Sequence, residues 1–167
     1  MTTEELALKE EKLIEKIGEL NKKASSANSI SIHSEINKSY FQIHRQYAEL
    51  ASNDIEALKR GLFIQWFYMT EPTYLTGVSS LDATAEKAIV DTLEELLSKN
   101  ALDEELEWML YHYTYWSYVF NRYRNYKHLE KIIETRAEKK LLKEVNIESM
   151  KNRGSMGKYW SSFQTIK

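Results

Sequence analysis

Trp108-Met-Leu-Tyr-His-Tyr-Thr-Tyr-Trp-Ser-Tyr-Val-Phe-Asn121 holds seven Trp, Tyr or Phe rings and the imidazole of His112, with no Lys, Arg, Asp or Glu. At helical spacing these rings surround the axis and do not form one stripe. A helix that is apolar on every side must be covered by neighbours, so the stretch is predicted to be the central rod of the domain. Tyr and Trp also bring hydroxyl and indole donors that need partners when buried. That suits either a polar-aromatic cavity or an interface.

Around this rod the punctuation is sparse. One proline and five glycines in 167 residues leave few strand or turn signals, which favours an all-helical chain. From about Thr3 to Ala24, Leu6, Leu13 and Leu20 recur every seven residues with Ile17 and Ala24 interleaved, a seam of coiled-coil type. Ser25-Ser-Ala-Asn-Ser29 should interrupt it, because such side chains compete for backbone hydrogen bonds. A second helix is expected from Ser31 to Ala51, with Ile36, Tyr40, Ile43, Tyr47 and Leu50 on one face. Ser52 or Asn53 should cap a third helix that runs to Thr70, with Asp54 and Glu56 suited to its positive end. Pro72 should stop that helix at Glu71. Glu71–Leu81 reads as the longest interior loop. A fourth helix follows from Ala83 to Lys99, then the aromatic rod from Asp103 to Arg124, and a sixth helix from Tyr126 to Val145. The expected fold is all-α: a single-domain irregular antiparallel bundle of five or six helices over residues 1–145, with the third and fifth at its centre. Residues 146–167 form a C-terminal tail that docks on the bundle or on a partner.

Composition bounds the chemistry. The length suits one domain with a real core. The net charge of −2 exerts no general pull on nucleic acid or membrane. The absence of cysteine removes disulfides, thiolate metal sites and thiol catalysis. The acidic Met1-Thr-Thr-Glu-Glu5 start does not read as a secretory signal, and the run 108–121 is shorter than the roughly 20 apolar residues that span a bilayer. A soluble cytoplasmic protein is expected. Charge is nonetheless uneven: residues 1–120 hold 11 basic against 20 acidic side chains, and residues 121–167 hold 12 against 5. The basic third should lie beside the acidic fourth helix and Asp103-Glu-Glu-Leu-Glu107. Glu130, Glu134, Glu138 and Glu144 interleave with its Lys and Arg, which argues against nucleic acid as a partner.

Searches for catalytic motifs come back empty. None of His33, His44, His112 or His128 has an Asp or Glu three or four residues away, and no two histidines are four apart, so di-metal and zinc-protease spacings are missing. His33 and His44 read as a helix flank or satisfied core edge. Phosphate loops and the nucleophile elbow are absent. Gly154-Ser-Met-Gly157 matches G-x-x-G, but nucleic-acid recognition by that loop belongs to an α/β domain. No metal or cofactor is implied.

Two residue sets remain. Trp66, His112, Tyr115 and Trp116, with Glu71 or Arg122 at the rim, would line a ligand cavity in which a buried imidazole serves as acid or base. Arg153, Met156, Tyr159, Trp160 and Phe163 make the tail too aromatic for a disordered segment, so they should dock on the bundle or on a second protein. The leading expectation is a non-enzymatic protein–protein interaction module that self-associates through the first helix's seam. A small-molecule-binding protein or enzyme centred on His112 is the alternative.

Overall fold

The computed structural model describes residues 1–22, 27–135 and 146–163. Among these there is no strand, and the class is all-α. The elements are α1 (Thr3–Lys22), α2 (Ala27–Leu50), α3 (Ile55–Thr70), the short α4 (Thr73–Thr76), α5 (Ala83–Ser98), α6 (Glu104–Thr114), a 3₁₀ segment (Ser117–Tyr123), α7 (Lys127–Thr135), α8 (Ile147–Met150) and α9 (Gly154–Ser162). The helices are more numerous than five or six because the long loop and the tail each contain helical turns. Ala24, Ala137, Leu141 and Val145 lie outside the described residues.

Helix α3 is the axis of the packing. Every residue from Ala57 to Trp66 is buried, and α2, α5 and α9 pack against it. The cap is Asp54, not Ser52 or Asn53: its carboxylate accepts from Glu56 N–H at 2.9 Å. A carboxylate there satisfies an orphan donor and faces the positive helix end. At the other terminus Glu71 is extended, with φ −116° and ψ 148°, as a residue before proline should be. The following connection is partly helical. Its α4 turn closes on Gly77 at φ 71°, and Asn21 at the end of α1 donates to Tyr74 O at 2.9 Å.

The first helix does not keep its seam for another copy. Leu6, Leu13 and Ile17 are 1%, 8% and 4% exposed within the single chain, because α1 lies between α2 and α9. A covered seam offers little to a second molecule, so the argument for pairing through it fails.

The aromatic stretch is also not one rod. Helix α6 ends at Thr114, Trp116 takes φ −90° and ψ 71°, and the chain continues as 3₁₀. Tyr115 and Tyr118 are consequently 67% and 47% exposed, whereas Val119, Phe120 and Tyr123 turn into the core. A straight helix would have to bury rings on all sides at once, and aromatic side chains lose rotamer freedom inside a helix. The 3₁₀ period of three aligns Phe120 with Tyr123 and lets two tyrosines escape to solvent.

Residues 146–163 pack on the bundle. Met150, Met156 and Trp160 are nearly inaccessible, and α9 lies against α1 and α3. Within the tail itself α8 and α9 approach so closely that a Cβ at Gly157 would stand 2.1 Å from Met150 O. By contrast a Cβ at Gly18 in α1 would meet nothing within 4 Å. Helix propensity alone favours Ala over Gly by about 1 kcal/mol at both sites. Gly18→Ala should therefore stabilise by roughly that amount, while overpacking at Gly157→Ala should reverse the sign and cost about 2 kcal/mol. Urea midpoints of the two variants check this, and stabilisation by both would contradict the packing of α8 on α9.

Candidate functional site

The two residue sets read separately from sequence form one cluster. His112, on α6, lies with its ring centroid 5.4 Å from Trp66 and 5.1 Å from Trp116. The tail supplies the remaining walls: Trp160 at 4.7 Å, Phe163 at 5.6 Å and Tyr159 at 6.0 Å. His112 Nε2 and Tyr159 Oη are 3.0 Å apart. Trp160 Nε1 donates to Tyr113 Oη at 3.4 Å, and Phe63 and Phe67 extend the stack beneath Tyr159. Tilted and edge-on pairs of this kind contribute about 1 kcal/mol each beyond their burial. Burial holds the His112 imidazole at about 4, against its ordinary 6.5, so the ring is neutral at pH 7. Burial, and then the charge of Glu71, push the Tyr159 hydroxyl up.

Three expected members stand apart from the cluster's interior. Tyr115 touches Trp116 edge-on at 5.7 Å but faces water. Glu71 acts on Tyr159 and not on His112, whose displacement has burial as its cause. Arg122 belongs elsewhere: it pairs with the buried Glu86 of α5, reaches Tyr68 Oη at 3.3 Å, and lies over the Tyr123 ring at 5.2 Å. The rim therefore has no Arg122, and among the described residues no carboxylate orients the imidazole. His44 lies inside the core rather than at its edge. It is fully buried and held at about 4 by burial, which outweighs the charge of Asp82 and the Gly61 backbone. It is a core residue, with the Gly61 backbone as the polar group acting on its ring.

Beside the rings runs a polar latch. Arg153 donates from Nε to Glu56 Oε1 at 2.7 Å and from Nη1 to Glu105 Oε2 at 2.9 Å, while its Nη2 bonds both carboxylates. Lys59 ties Glu105 to Asp103 at 2.9 and 2.6 Å, and Arg60 links Glu56 to Thr3 O at 2.7 and 3.0 Å. Burial would raise Glu105, but Arg153 and Lys59 hold its carboxyl below the usual range. One residue further on, Gly154 adopts φ 58°, and a Cβ there would come within 2.7 Å of Glu10 Oε1. Only glycine suits that backbone and that proximity. It lets Ser155 N–H donate to Glu10 Oε2 at 3.1 Å at the start of α9. Tyr47 donates to Glu10 Oε1 at 2.6 Å, and Tyr40 Oη lies 3.0 Å from Ser155 Oγ. Burial raises the Glu10 carboxyl, with Tyr47 and Ser155 partly offsetting it.

The sequence flagged Arg153 and the glycines but not their partners. Glu10, Glu56 and Glu105 sit 145, 97 and 48 residues away from the groups they receive, and no spacing distinguishes them from other acids. Comparison with protein-family models, curated proteins and solved structures finds no match to this chain. Among the described residues, no group of three or more His, Asp or Glu is arranged to hold a metal ion, and no helix is long and apolar enough to cross a membrane.

The uneven charge has a structural outlet. Arg122 meets Glu86, and Glu94 of α5 accepts from the His128 and Leu129 N–H groups at 2.9 and 3.0 Å, capping α7. Acidic α5 thus lies against the start of the basic third.

Removing Arg153 takes the shared cation from two partly buried carboxylates and leaves Glu56 only Arg60 and Glu105 only Lys59. Arg153→Met should cost about 2 kcal/mol in urea unfolding, less than a fully uncompensated buried charge because Arg60 and Lys59 remain, and Arg153→Lys should not restore it, because an ammonium cannot serve both carboxylates in a planar fork. A loss below about 1 kcal/mol would reduce the latch to an exposed surface pair. The pH dependence has two opposed parts. His112 and His44 bind protons more readily when unfolded, so their contribution is full above pH 6.5 and is lost as pH falls through about 4. Glu10 is shifted upward, so its contribution is full below pH 4.5 and is lost as pH rises through its folded value. His112→Phe should flatten the acid-side fall in stability and Glu10→Gln the alkaline-side fall. Slopes unchanged from wild type would contradict the burial of these groups.

Proposed function

We propose that this chain is a non-enzymatic helical interaction module that associates with a second copy of itself, in a reducing compartment such as the cytoplasm. The observation that carries the reading is the pair Tyr115 and Tyr118, 67% and 47% exposed, on the break between α6 and the 3₁₀ segment. They flank the end of α3: Tyr115 leans on Trp116, and Tyr118 Oη lies 3.5 Å from Met69 O. Exposed tyrosines anchored on a rigid aromatic base are the side chains that dominate interfaces. Their exposed rings offer apolar area. Meanwhile the buried ionisable side chains described above are mostly engaged internally, His112 by Tyr159, Glu10 by Tyr47 and Ser155, Arg153 by Glu56 and Glu105. Such saturation favours a scaffold over a reaction centre. The absence of cysteine suits a reducing compartment.

The small-molecule reading keeps one supporting observation. Trp66 Nε1 is buried and has no hydrogen-bond partner among the described residues, so it would welcome an acceptor from a ligand. The surrounding rings, 4.7 to 6.1 Å from the His112 centroid, favour direct packing over a guest.

Sedimentation velocity across the micromolar range tests the proposal. Wild type should show concentration-dependent dimer, and Tyr115→Ser with Tyr118→Ser should weaken it about tenfold or more at unchanged melting temperature. A wild-type protein that stays monomeric throughout, or a dimer indifferent to both substitutions, would overturn it.

A further inference from the structure

The solvent side of the α1–α2 pair holds a groove of about 530 Å³. The two helices run antiparallel, since Tyr47 meets Glu10 while Ile36 and Ile17 converge on Gly77. Leu6, Leu13 and Ile43 form the groove's floor. Along the α1 lip stand Lys9, Lys12 and Lys16, at helical spacings of three and four, with Lys38 on the α2 lip. No Asp or Glu lines it. All four lysines are exposed, and among the described residues none has a carboxylate within ion-pair distance. This is despite the glutamates on the same helix. Glu5 turns to Thr2 N–H at 2.8 Å and Glu10 is buried at the start of α9. At 100° per residue, Glu4 and Glu11 point more than about 100° away from the mean direction of the lysine row, while Glu15 and Glu19, three residues beyond Lys12 and Lys16, border that row outside the groove lining.

We infer that this groove binds an acidic amphipathic helix of a partner protein. A furrow between two packed helices receives the ridge of a third. From Leu6 to Lys16 the furrow extends about 15 Å, roughly three helical turns. The aliphatic stems of the lysines would cover the leucine-type face of the incoming helix, because Leu6, Leu13 and Ile43 beneath them are themselves nearly covered within the chain. The four ammonium groups would meet carboxylates on its flanks, which fixes register and accelerates encounter. The groove is concave, whereas an anionic bilayer presents a flat sheet of charge, so a helix fits better than a membrane. The inference adds a second ligand to the interaction-module reading and rests on it only in kind, since Tyr115 and Tyr118 take no part.

The test is a fluorescence-polarisation titration of the full chain against a labelled synthetic peptide of about 18 residues, long enough to overrun the groove at 1.5 Å per residue. The peptide carries Leu at i, i+3, i+4 and i+7 and Glu on both flanks. The expected results are saturable binding that weakens with salt, falls tenfold or more in Lys12→Glu/Lys16→Glu, and persists in Tyr115→Ser/Tyr118→Ser. Circular dichroism should show the charge-reversed protein folded, because both lysines are exposed. Absence of saturable binding overturns the inference. So do equal binding of the same composition with the leucines scrambled and indifference to charge reversal. Binding to phosphatidylglycerol vesicles without peptide binding would reassign the groove to lipid. Loss of wild-type self-association in the lysine variant would reassign it to a second copy.

Discussion

The guanidinium of Arg153 between the carboxylates of Glu56 and Glu105 is the constraint that organises this molecule. Glu56 opens α3 and Glu105 opens α6, so a single side chain near the C-terminus fixes the starts of both central helices. Arg60 and Lys59 extend the same charges to Thr3 and Asp103. A partly buried ion network of this kind adds little net stability over an apolar equivalent, because desolvation offsets most of the attraction. Its effect is on specificity: only one placement of the tail satisfies both carboxylates. Once Arg153 is placed, Gly154 delivers Ser155 to Glu10, and α9 enters with Trp160 and Tyr159 aimed at His112.

The aromatic cluster and the latch are therefore two halves of one arrangement. Rings alone pack in many orientations at similar cost, since their mutual attraction varies weakly with angle. Directional charge-assisted bonds choose among those orientations. The combination makes the tail a component of the core and leaves the second half of the aromatic stretch free to turn outward. That outward turn exposes Tyr115 and Tyr118, and the covering of α1 by α9 and α2 leaves its lysine flank as the other distinctive surface.

Much of this architecture is legible in the sequence, and the reasons for the remainder are physical. Periodicity located the helices because burial on one face demands it, as with Ile36, Tyr40, Ile43 and Tyr47 on α2 or Ala85, Ile89 and Leu93 on α5. Pro72 marks a local backbone rule and is legible for that reason. The broken rod was not readable, because Tyr115 and Tyr118 differ from Tyr111 and Tyr113 only in where neighbours leave space. Nor was the seam's fate, since a heptad pattern specifies that a face be covered but not by which chain. The carboxylate partners of Arg153 and Ser155 depend on contacts between distant segments, and a lone Glu carries no mark of its partner. The place of Arg122 is illegible for the same reason: its attraction to Glu86 is tertiary.

Native-state hydrogen exchange offers the most direct measurement of the central claim that the tail is part of the cooperative core. If Arg153, Gly154 and Ser155 lock α9 in place, the Ser155 amide and the Trp160 indole N–H should exchange only through global unfolding, with the same free energy as amides at the centre of α3 such as Leu62. Exchange of Ser155 and Trp160 orders of magnitude faster than Leu62 would show the tail opening on its own. That result would contradict the account.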